Sequence, residues 1–182
     1  KWQAYFHENN TDSYPSEKNT ASLFKCETIQ DLISLKNMGF DESKKSFPNK
    51  DLDLQTINNY QEKRNFPAAN GTSLLSIHLR FGTMSIRSLV NKSLKLSETY
   101  LNELIWRDFY QMILFHFPHS VENSFRKHYD LIEWEKNMDE FDLWCQGKTG
   151  YPMVDAGMRE LNETGFMHNR VRMIVASFFT KH

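Results

Sequence analysis

Cysteine is scarce in this sequence, with only Cys26 and Cys145 among 182 residues. The two lie far apart and match no metal or redox spacing, which excludes a disulfide framework and favours a reducing compartment. No stretch reaches the roughly 18 apolar residues of a membrane span, and the opening residues KWQAYFHENN do not resemble a secretory signal peptide. We therefore expect an intracellular, cytoplasmic protein without a membrane partner.

An excess of charge of one sign is also absent. The chain has 22 Lys and Arg residues against 23 Asp and Glu residues, for a formal net charge of −1. Any contact with nucleic acid must therefore come from a local groove and not from overall basicity. The length suits one domain. Alternation of apolar and polar residues is rare, so the expected fold class is all-α.

Two short patterns suggest a ligand site but lack parts that such a site needs. GKTG at residues 147–150 lacks the earlier glycine that a phosphate-binding loop requires. His116 and His119 stand three residues apart, but Pro118 interrupts the helix between them and no carboxylate stands at ligand spacing. The sequence favours surface or capping histidines, and we expect no metal site.

The first 70 residues are rich in Asn, Ser, Lys and Asp and contain three prolines. This composition predicts loops with short helices, one of them around Asp31 to Asn37. The clearest helix follows later, from about Ser97 to Phe117, with Ser97 as its N-cap and Pro118 as its stop.

This helix has two different faces. Four apolar residues share one face at helical spacing and predict a core stripe: Leu101, Ile105, Phe109 and Met112. The opposite face mixes charges with large aromatic rings: Glu103, Trp106, Arg107 and Tyr110. Plain charges would be typical of a face in water, so this mixture favours the wall of a half-buried cavity.

The segment TGFMHNRVRM, residues 164–173, places polar side chains in an apolar setting. A helix from Pro152 is expected to end at Gly165, and a final helix to begin near His168. In that helix Asn169, Arg172, Met173 and Ala176 share one side, while Arg170 points elsewhere. Burying Arg172 unpaired would cost several kcal/mol, so it needs either an anionic ligand or a carboxylate such as Asp155 or Glu103. Both alternatives remain open on these grounds.

Hydroxyl groups also cluster after Gly71, in the stretch Thr72 to Ser76 at the start of an expected helix. Hydroxyls and free N–H groups at a helix N-terminus can bind a phosphate. Simple helix capping is the commoner use of such residues.

Longer motifs carry a family resemblance. GTSLLS, LNELIWRDFY and WCQGKTGYPMVDAGMRELNETGFMHNRVRMIVASFFTKH, in this order and spacing, resemble the helical FAD-binding domain of DNA photolyases and cryptochromes. The resemblance covers residues 60–182 and implies that they form the N-terminal part of that domain. Residues 1–59, more loosely similar, would be a loop-rich approach with short helices.

The resemblance implies roles for particular residues. FAD would be bound by Tyr60, Thr72, Ser73, Leu74, Leu75, Ser76, Arg107 and Arg172. The pocket for the damaged bases would be lined by Glu103, Trp106, Asn169 and Met173. Arg64 and Arg170 would contact DNA phosphates. Trp134 matches the outermost tryptophan of the family's electron-transfer chain.

The implied activity is light-driven DNA repair. Reduced, photoexcited FAD donates an electron to a cyclobutane pyrimidine dimer, the ring opens and the electron returns, so the enzyme is a carbon-carbon lyase that flips its damaged base. HNRVRM resembles the cyclobutane-dimer enzymes. Six-four photoproduct enzymes carry histidines at the positions of Asn169 and Met173, and plant cryptochromes an aspartate at the first. Phe166 and Tyr100 depart from the family's frequent Trp, and Leu74 from a frequent Arg.

Two other functions remain as alternatives: a cryptochrome-type blue-light signalling flavoprotein, and a helical interaction domain that has lost its cofactor. Family members also carry an α/β antenna domain before this region and further flavin-binding helices after it. We therefore expect this chain to be a piece of such a protein, monomeric and inactive alone, with weak or no FAD binding. The antenna chromophore would bind only in the missing N-terminal domain.

Overall fold

The computed structural model describes residues 2–8, 14, 16–24, 31–43 and 46–181. Over these residues the regular elements are helices and no strand occurs, which confirms the all-α prediction. The α-helices are α1 Trp2–Glu8, α2 Leu54–Asn58, α3 Tyr60–Lys63, α4 Ser76–Arg80, α5 Ile86–Leu96, α6 Glu98–His116, α7 Met138–Cys145, α8 Pro152–Thr164 and α9 Asn169–Lys181. Short 3₁₀ helices cover Ser16–Ser22, Pro118–Val121 and Lys127–Leu131. In this part of the chain no helix combines the length and apolarity that crossing a membrane requires.

The described chain divides into two compact units. The first unit contains the described residues up to Asp51 together with Leu74–Lys92. The second contains Leu52–Ser73 and the described residues from Ser93 onward. Most of the residues that the family resemblance marks as functional lie in the second unit; Leu74, Leu75 and Ser76 lie in the first.

In the first unit, residues 35–39 form a single hydrogen-bonded turn, so the helix predicted around Asp31 to Asn37 is wrong. The turn closes through Met38 N–H to Ser34 O at 3.1 Å and Phe40 N–H to Leu35 O at 3.0 Å. Gly39 then takes a left-handed conformation, with φ of 84°. A residue in that conformation ends a helix, which explains why the turn does not propagate.

Helix α6 in the second unit matches its prediction. The Ser97 side chain accepts a hydrogen bond from the Tyr100 N–H at 3.3 Å and caps the helix, and α6 ends two residues before Pro118. The buried positions are Tyr100, Leu101 and Leu104. Of the expected core stripe, Leu101 is buried, Ile105 and Phe109 are partly buried, and Met112 is exposed.

Helices α8 and α9 pack against each other around an apolar cluster of five buried residues: Val154, Met158, Met167, Val171 and Val175. Gly165 caps α8 in the left-handed conformation, as the sequence predicted. The GKTG stretch lies just before α8, where the Asp155 carboxylate accepts hydrogen bonds from Thr149 N–H at 2.8 Å and Gly150 N–H at 3.0 Å. GKTG is therefore a structural turn tied to the first turn of α8.

Candidate functional site

The side chain of Arg64, at the C-terminal end of α3, forms an ion pair with Glu103 of α6. Both side chains are partly accessible, 29% and 38% exposed. The Arg64 guanidinium also lies over the Tyr60 ring, 5.9 Å from the ring centroid, at a distance where a cation–π attraction operates. A carboxylate and an aromatic ring thus hold this cation at the surface, where it remains within reach of solvent.

Tyr60 connects Arg64 to the interior of the second unit, because its ring contacts both Arg64 and Tyr100. Its ring meets the buried Tyr100 ring edge-on, with centroids 5.0 Å apart, and the Tyr100 hydroxyl lies 2.8 Å from Ser73 Oγ. Burial raises the pKa of both phenols, and the nearby Glu103 carboxylate raises the pKa of Tyr60 further. Both tyrosines therefore stay neutral and can donate hydrogen bonds at physiological pH.

Arg170, near the start of α9, is anchored to the residue that follows Arg64. Its Nε–H donates to Asn65 Oδ1 at 3.0 Å, and one terminal nitrogen lies 4.0 Å from Met173 Sδ. One of the two arginines predicted to contact DNA, Arg170, is thus bonded to the residue next to the other, Arg64. We call Tyr60, Arg64, Asn65, Glu103 and Arg170 the arginine cluster.

The outward face of α9 carries Asn169, Arg172 and Met173, all exposed. The sequence left two alternatives for Arg172, an anionic ligand or a buried salt bridge with a carboxylate, and its exposure excludes burial. Val171 and Val175 occupy the core face instead, because they share the opposite side of the helix.

Neither carboxylate proposed as an internal partner of Arg172 contacts it. Among the described residues, Glu103 pairs with Arg64, and Asp155 accepts from Thr149 and Gly150 with Arg159 at 3.9 Å. An internal salt bridge to either acid is therefore ruled out by the geometry. The guanidinium of Arg172 stands in solvent, available to a ligand.

The aromatic face of α6 is also more open than expected for a cavity wall. Trp106 is 53% exposed, stacks on Tyr110 with centroids 5.9 Å apart and meets Phe109 edge-on at 5.5 Å. Arg107 reaches Gln111 on the same helix at 3.4 Å. Trp134 is exposed in the segment that precedes α7. None of these contacts joins Trp106, Arg107 or Trp134 to the arginine cluster.

The stretch Thr72 to Ser76 does not provide simple helix caps. Thr72 and Ser73 are half-buried, and the Ser73 hydroxyl is bonded to Tyr100. Helix α4 begins only at Ser76, and no side chain caps it. Leu74 adopts the left-handed conformation with φ of 54°, which is strained for a leucine, and Leu75 is 2% exposed.

Two residues that contact Arg170, Asn65 and His168, were not predicted from the sequence. Asn65 binds Arg170 across 105 residues of sequence, a separation that no local periodicity reports. His168 caps α9 through its ring, since Nδ1 accepts the Arg170 N–H at 3.2 Å, leaving a buried Nε2 with no hydrogen-bond partner among the described residues. A histidine before an expected helix start was the only available signal.

Residues 100–182 match the family model for the FAD binding domain of DNA photolyase. The deoxyribodipyrimidine photo-lyase of Neurospora crassa is 44% identical over 140 residues, 70% of this chain and 23% of that protein. The Vibrio cholerae photo-lyase is 44% identical over 147 residues, 72% of this chain and 30% of that protein. The chain thus spans under a third of the length of these relatives.

Two solved structures are similar in fold as well as sequence. The archaeal photolyase from Sulfolobus tokodaii, solved with two FAD molecules, matches with a TM-score of 0.63 and 39% identity, covering 72% of this chain and 30% of that one. A Synechocystis cryptochrome matches with a TM-score of 0.60 and 36% identity, covering 68% of this chain and 28% of that one. With its helical fold, its family-model match and these relatives, the chain belongs to the DNA photolyase and cryptochrome family.

Proposed function

We propose that this chain supplies the DNA-binding surface, and part of the FAD-binding surface, of an enzyme that repairs cyclobutane pyrimidine dimers with light. The observation that carries the proposal is the arginine cluster, in which Arg64 pairs with Glu103 and Arg170 is bonded to Asn65, the residue after Arg64. A guanidinium group can bind a DNA phosphate through two parallel N–H donors. The proposal places the protein where cellular DNA is, inside the cell.

The ion pair gives Arg64 and Glu103 a linked role. In the free chain each charge satisfies the other, and both remain partly accessible. A phosphate that approaches Arg64 competes with Glu103 for the guanidinium, and the released carboxylate can accept hydrogen bonds from a flipped pyrimidine dimer. Asn169, exposed near the start of α9, adds an amide, while Trp106 and Met173 add exposed apolar surface for the bases.

The donor chemistry of this chain fits FAD. The neutral phenol of Tyr60 and the hydroxyls of Thr72 and Ser73 suit phosphate and ribose groups, and Arg172 is an exposed cation. In the proposal the cofactor is held by Tyr60, Thr72, Ser73, Leu74, Leu75, Ser76, Arg107 and Arg172. When bound, FAD supplies the light-excited electron. Trp134, exposed before α7, would pass an electron from a reductant in solution toward the cofactor site.

The test of repair uses a chimera. The segment of the Vibrio cholerae photo-lyase that aligns with this chain over 147 residues is replaced by the matching segment of this chain. Blue light should then restore thymine in a dimer-containing oligonucleotide, and a second chimera with Glu103→Ala should lose most of that activity while retaining FAD. A flavin-loaded chimera that repairs no dimers would contradict the proposal.

The second candidate is a blue-light signalling flavoprotein, which the similarity to the Synechocystis cryptochrome favours. Under that function the same flavin-loaded chimera would bind dimer-containing and intact duplexes equally well. If the chimera binds the dimer-containing duplex more tightly than the intact one, and if Glu103→Ala and Asn169→Ala each abolish this difference, repair is supported over signalling.

A further inference from the structure

Arg170 is anchored by three groups, and none of them carries a negative charge. Its main-chain N–H is bonded to His168 Nδ1, its Nε–H to Asn65 Oδ1, and a terminal nitrogen lies near Met173 Sδ. An imidazole, an amide and a thioether are all neutral acceptors. The guanidinium is therefore oriented without being neutralised.

Arg64, the neighbouring cation, stands in the opposite situation. It is paired with the carboxylate of Glu103, whereas among the described residues no carboxylate lies within ion-pair distance of Arg170. The arginine cluster thus contains two cations and one anion. Its uncompensated positive charge resides on Arg170, which is exposed.

The bond to Asn65 also determines which edge of the guanidinium faces solvent. Arginine has five N–H donors in a planar fork, and the Nε–H is the one that Asn65 occupies. The terminal amino groups stay available for a bidentate contact with an anion, apart from the long contact to Met173. Holding a flexible side chain in this position before binding reduces the entropy lost when a phosphate binds.

We infer that Asn65 is a positioning residue for DNA binding: its side-chain carbonyl fixes the guanidinium of Arg170 and leaves its charge free for a phosphate. The inference rests on the proposed function, since it takes the ligand of Arg170 to be a DNA phosphate. Asn65 follows directly after α3, and its recorded side-chain bond reaches across to α9 instead of closing the local turn.

The experiment measures binding of a fluorescent duplex to the 182-residue chain over a series of NaCl concentrations. Variants are Asn65→Ala, Asn65→Asp, Arg170→Ala and the double variant Asn65→Ala/Arg170→Ala, with exposed Asn58→Ala as the matched control. Thermal unfolding establishes that each variant is folded. Loss of one phosphate contact lowers the slope of log K against log salt by about 0.9.

Arg170→Ala should lower that slope by about 0.9, and Asn65→Asp should lower it similarly, because the carboxylate keeps the hydrogen bond but neutralises the cation. Asn65→Ala should weaken binding several-fold in the parent chain and have no further effect in the Arg170→Ala background. Normal binding by both Asn65 variants, or an equal loss in both backgrounds, overturns the inference.

A second measurement separates this inference from the proposed function. In nitrogen-15 spectra of the free chain, the Arg170 Nε–H signal should shift and exchange faster with water in Asn65→Ala but not in Asn58→Ala. If Arg170→Ala leaves DNA binding unchanged, the proposed DNA surface fails, whatever the signal shows. An unshifted Arg170 signal in Asn65→Ala overturns the positioning role even when Arg170 binds DNA.

Discussion

Gly157 of α8 faces Val171 of α9 so closely that a Cβ at residue 157 would lie 2.4 Å from Val171 Cγ1. It would also lie 3.1 Å from Val175 Cγ2. Both contacts are with buried side chains in the cluster between the helices. Only a residue without a side chain allows α8 and α9 to approach this closely, and the position of the exposed α9 face depends on that approach.

We predict that Gly157→Ala destabilises the chain despite the better helix propensity of alanine. Overpacking costs about 1–3 kcal/mol, against a gain of about 1 kcal/mol from propensity. Chemical denaturation should show a net loss in the free energy of unfolding. The double variant Gly157→Ala/Val171→Ala should lose less than the sum of its single variants, because the smaller side chain makes room. Strict additivity would contradict the contact.

The carboxylate of Asp155 predicts a specific acid sensitivity. Hydrogen bonds, chiefly from the Thr149 side chain, hold the pKa of Asp155 below its ordinary value of 3.8. A depressed folded-state pKa stabilises the fold above the unfolded value and loses that contribution as pH falls through the lowered one. The stability difference between the chain and Asp155→Asn should therefore be full at neutral pH and shrink below 3.8.

Thr149→Val serves as the matched variant for this prediction. It removes the Oγ1 donor 2.6 Å from Asp155 Oδ1 and keeps both main-chain donors. The pKa of Asp155, followed by carbon-13 NMR of its carboxyl group, should rise toward 3.8 in this variant. If the pKa of Asp155 is unchanged in Thr149→Val, the Thr149 hydroxyl is not the main cause of the lowered pKa.

Tyr100→Phe should destabilise the chain by about 1 kcal/mol through loss of the hydrogen bond to Ser73. In the Ser73→Ala background the same change should cost much less, since the partner is already absent. Urea denaturation of the two single variants and the double variant gives this coupling. Because burial raises the pKa of Tyr100, its contribution is present below the ordinary tyrosine pKa and is lost at more alkaline pH, as the folded phenol ionises.

Glu103→Gln should separate general DNA affinity from recognition of damage. The substitution removes the negative charge that neutralises Arg64. Binding to an undamaged duplex should tighten several-fold at low salt, since a surface cation is released for phosphates. Preference for a dimer-containing duplex should fall. Glu160→Gln, exposed on α8, is the charge-matched control; equal tightening by that variant would show only a general charge effect.

The isolated chain should bind FAD weakly or not at all, because it spans under a third of the length of the photo-lyases that it matches. Fluorescence quenching of free FAD on titration with the chain measures this directly. A flavin chromophore that copurifies in stoichiometric amount would contradict the prediction. Ser73→Ala, which removes one proposed phosphate donor, should weaken any residual binding.

Local signals in the sequence predicted much of the fold. Ser97 and Pro118 set the bounds of α6, and Pro152 and Gly165 those of α8, because capping and chain-stopping depend on residues at the helix ends. Periodicity also identified the shared side of Asn169, Arg172 and Met173. Periodicity cannot tell whether such a side faces a core, a ligand or solvent, and here the structure turns it outward.

The contacts that assemble the candidate site could not be predicted in this way. Tyr100 and Ser73 are separated by 27 residues, and Arg170 and Asn65 by 105. Such pairs depend on how helices are arranged in space, and a single sequence carries no record of that arrangement. The family resemblance supplied residue roles, but it gave no indication that Glu103 would pair with Arg64 instead of Arg172.

The turn at residues 147–150 has a practical consequence for interpreting sequences of this kind. The sequence GKTG resembles part of an ATP- or GTP-binding loop. In such a loop main-chain amides bind the phosphates, but here the amides of Thr149 and Gly150 already donate to Asp155. A nucleotide phosphate would have to displace the Asp155 carboxylate, which is also an anion, from these two amides. The chain should therefore pass through an ATP-agarose column without retention. In this protein GKTG precedes a helix and does not form a nucleotide-binding loop.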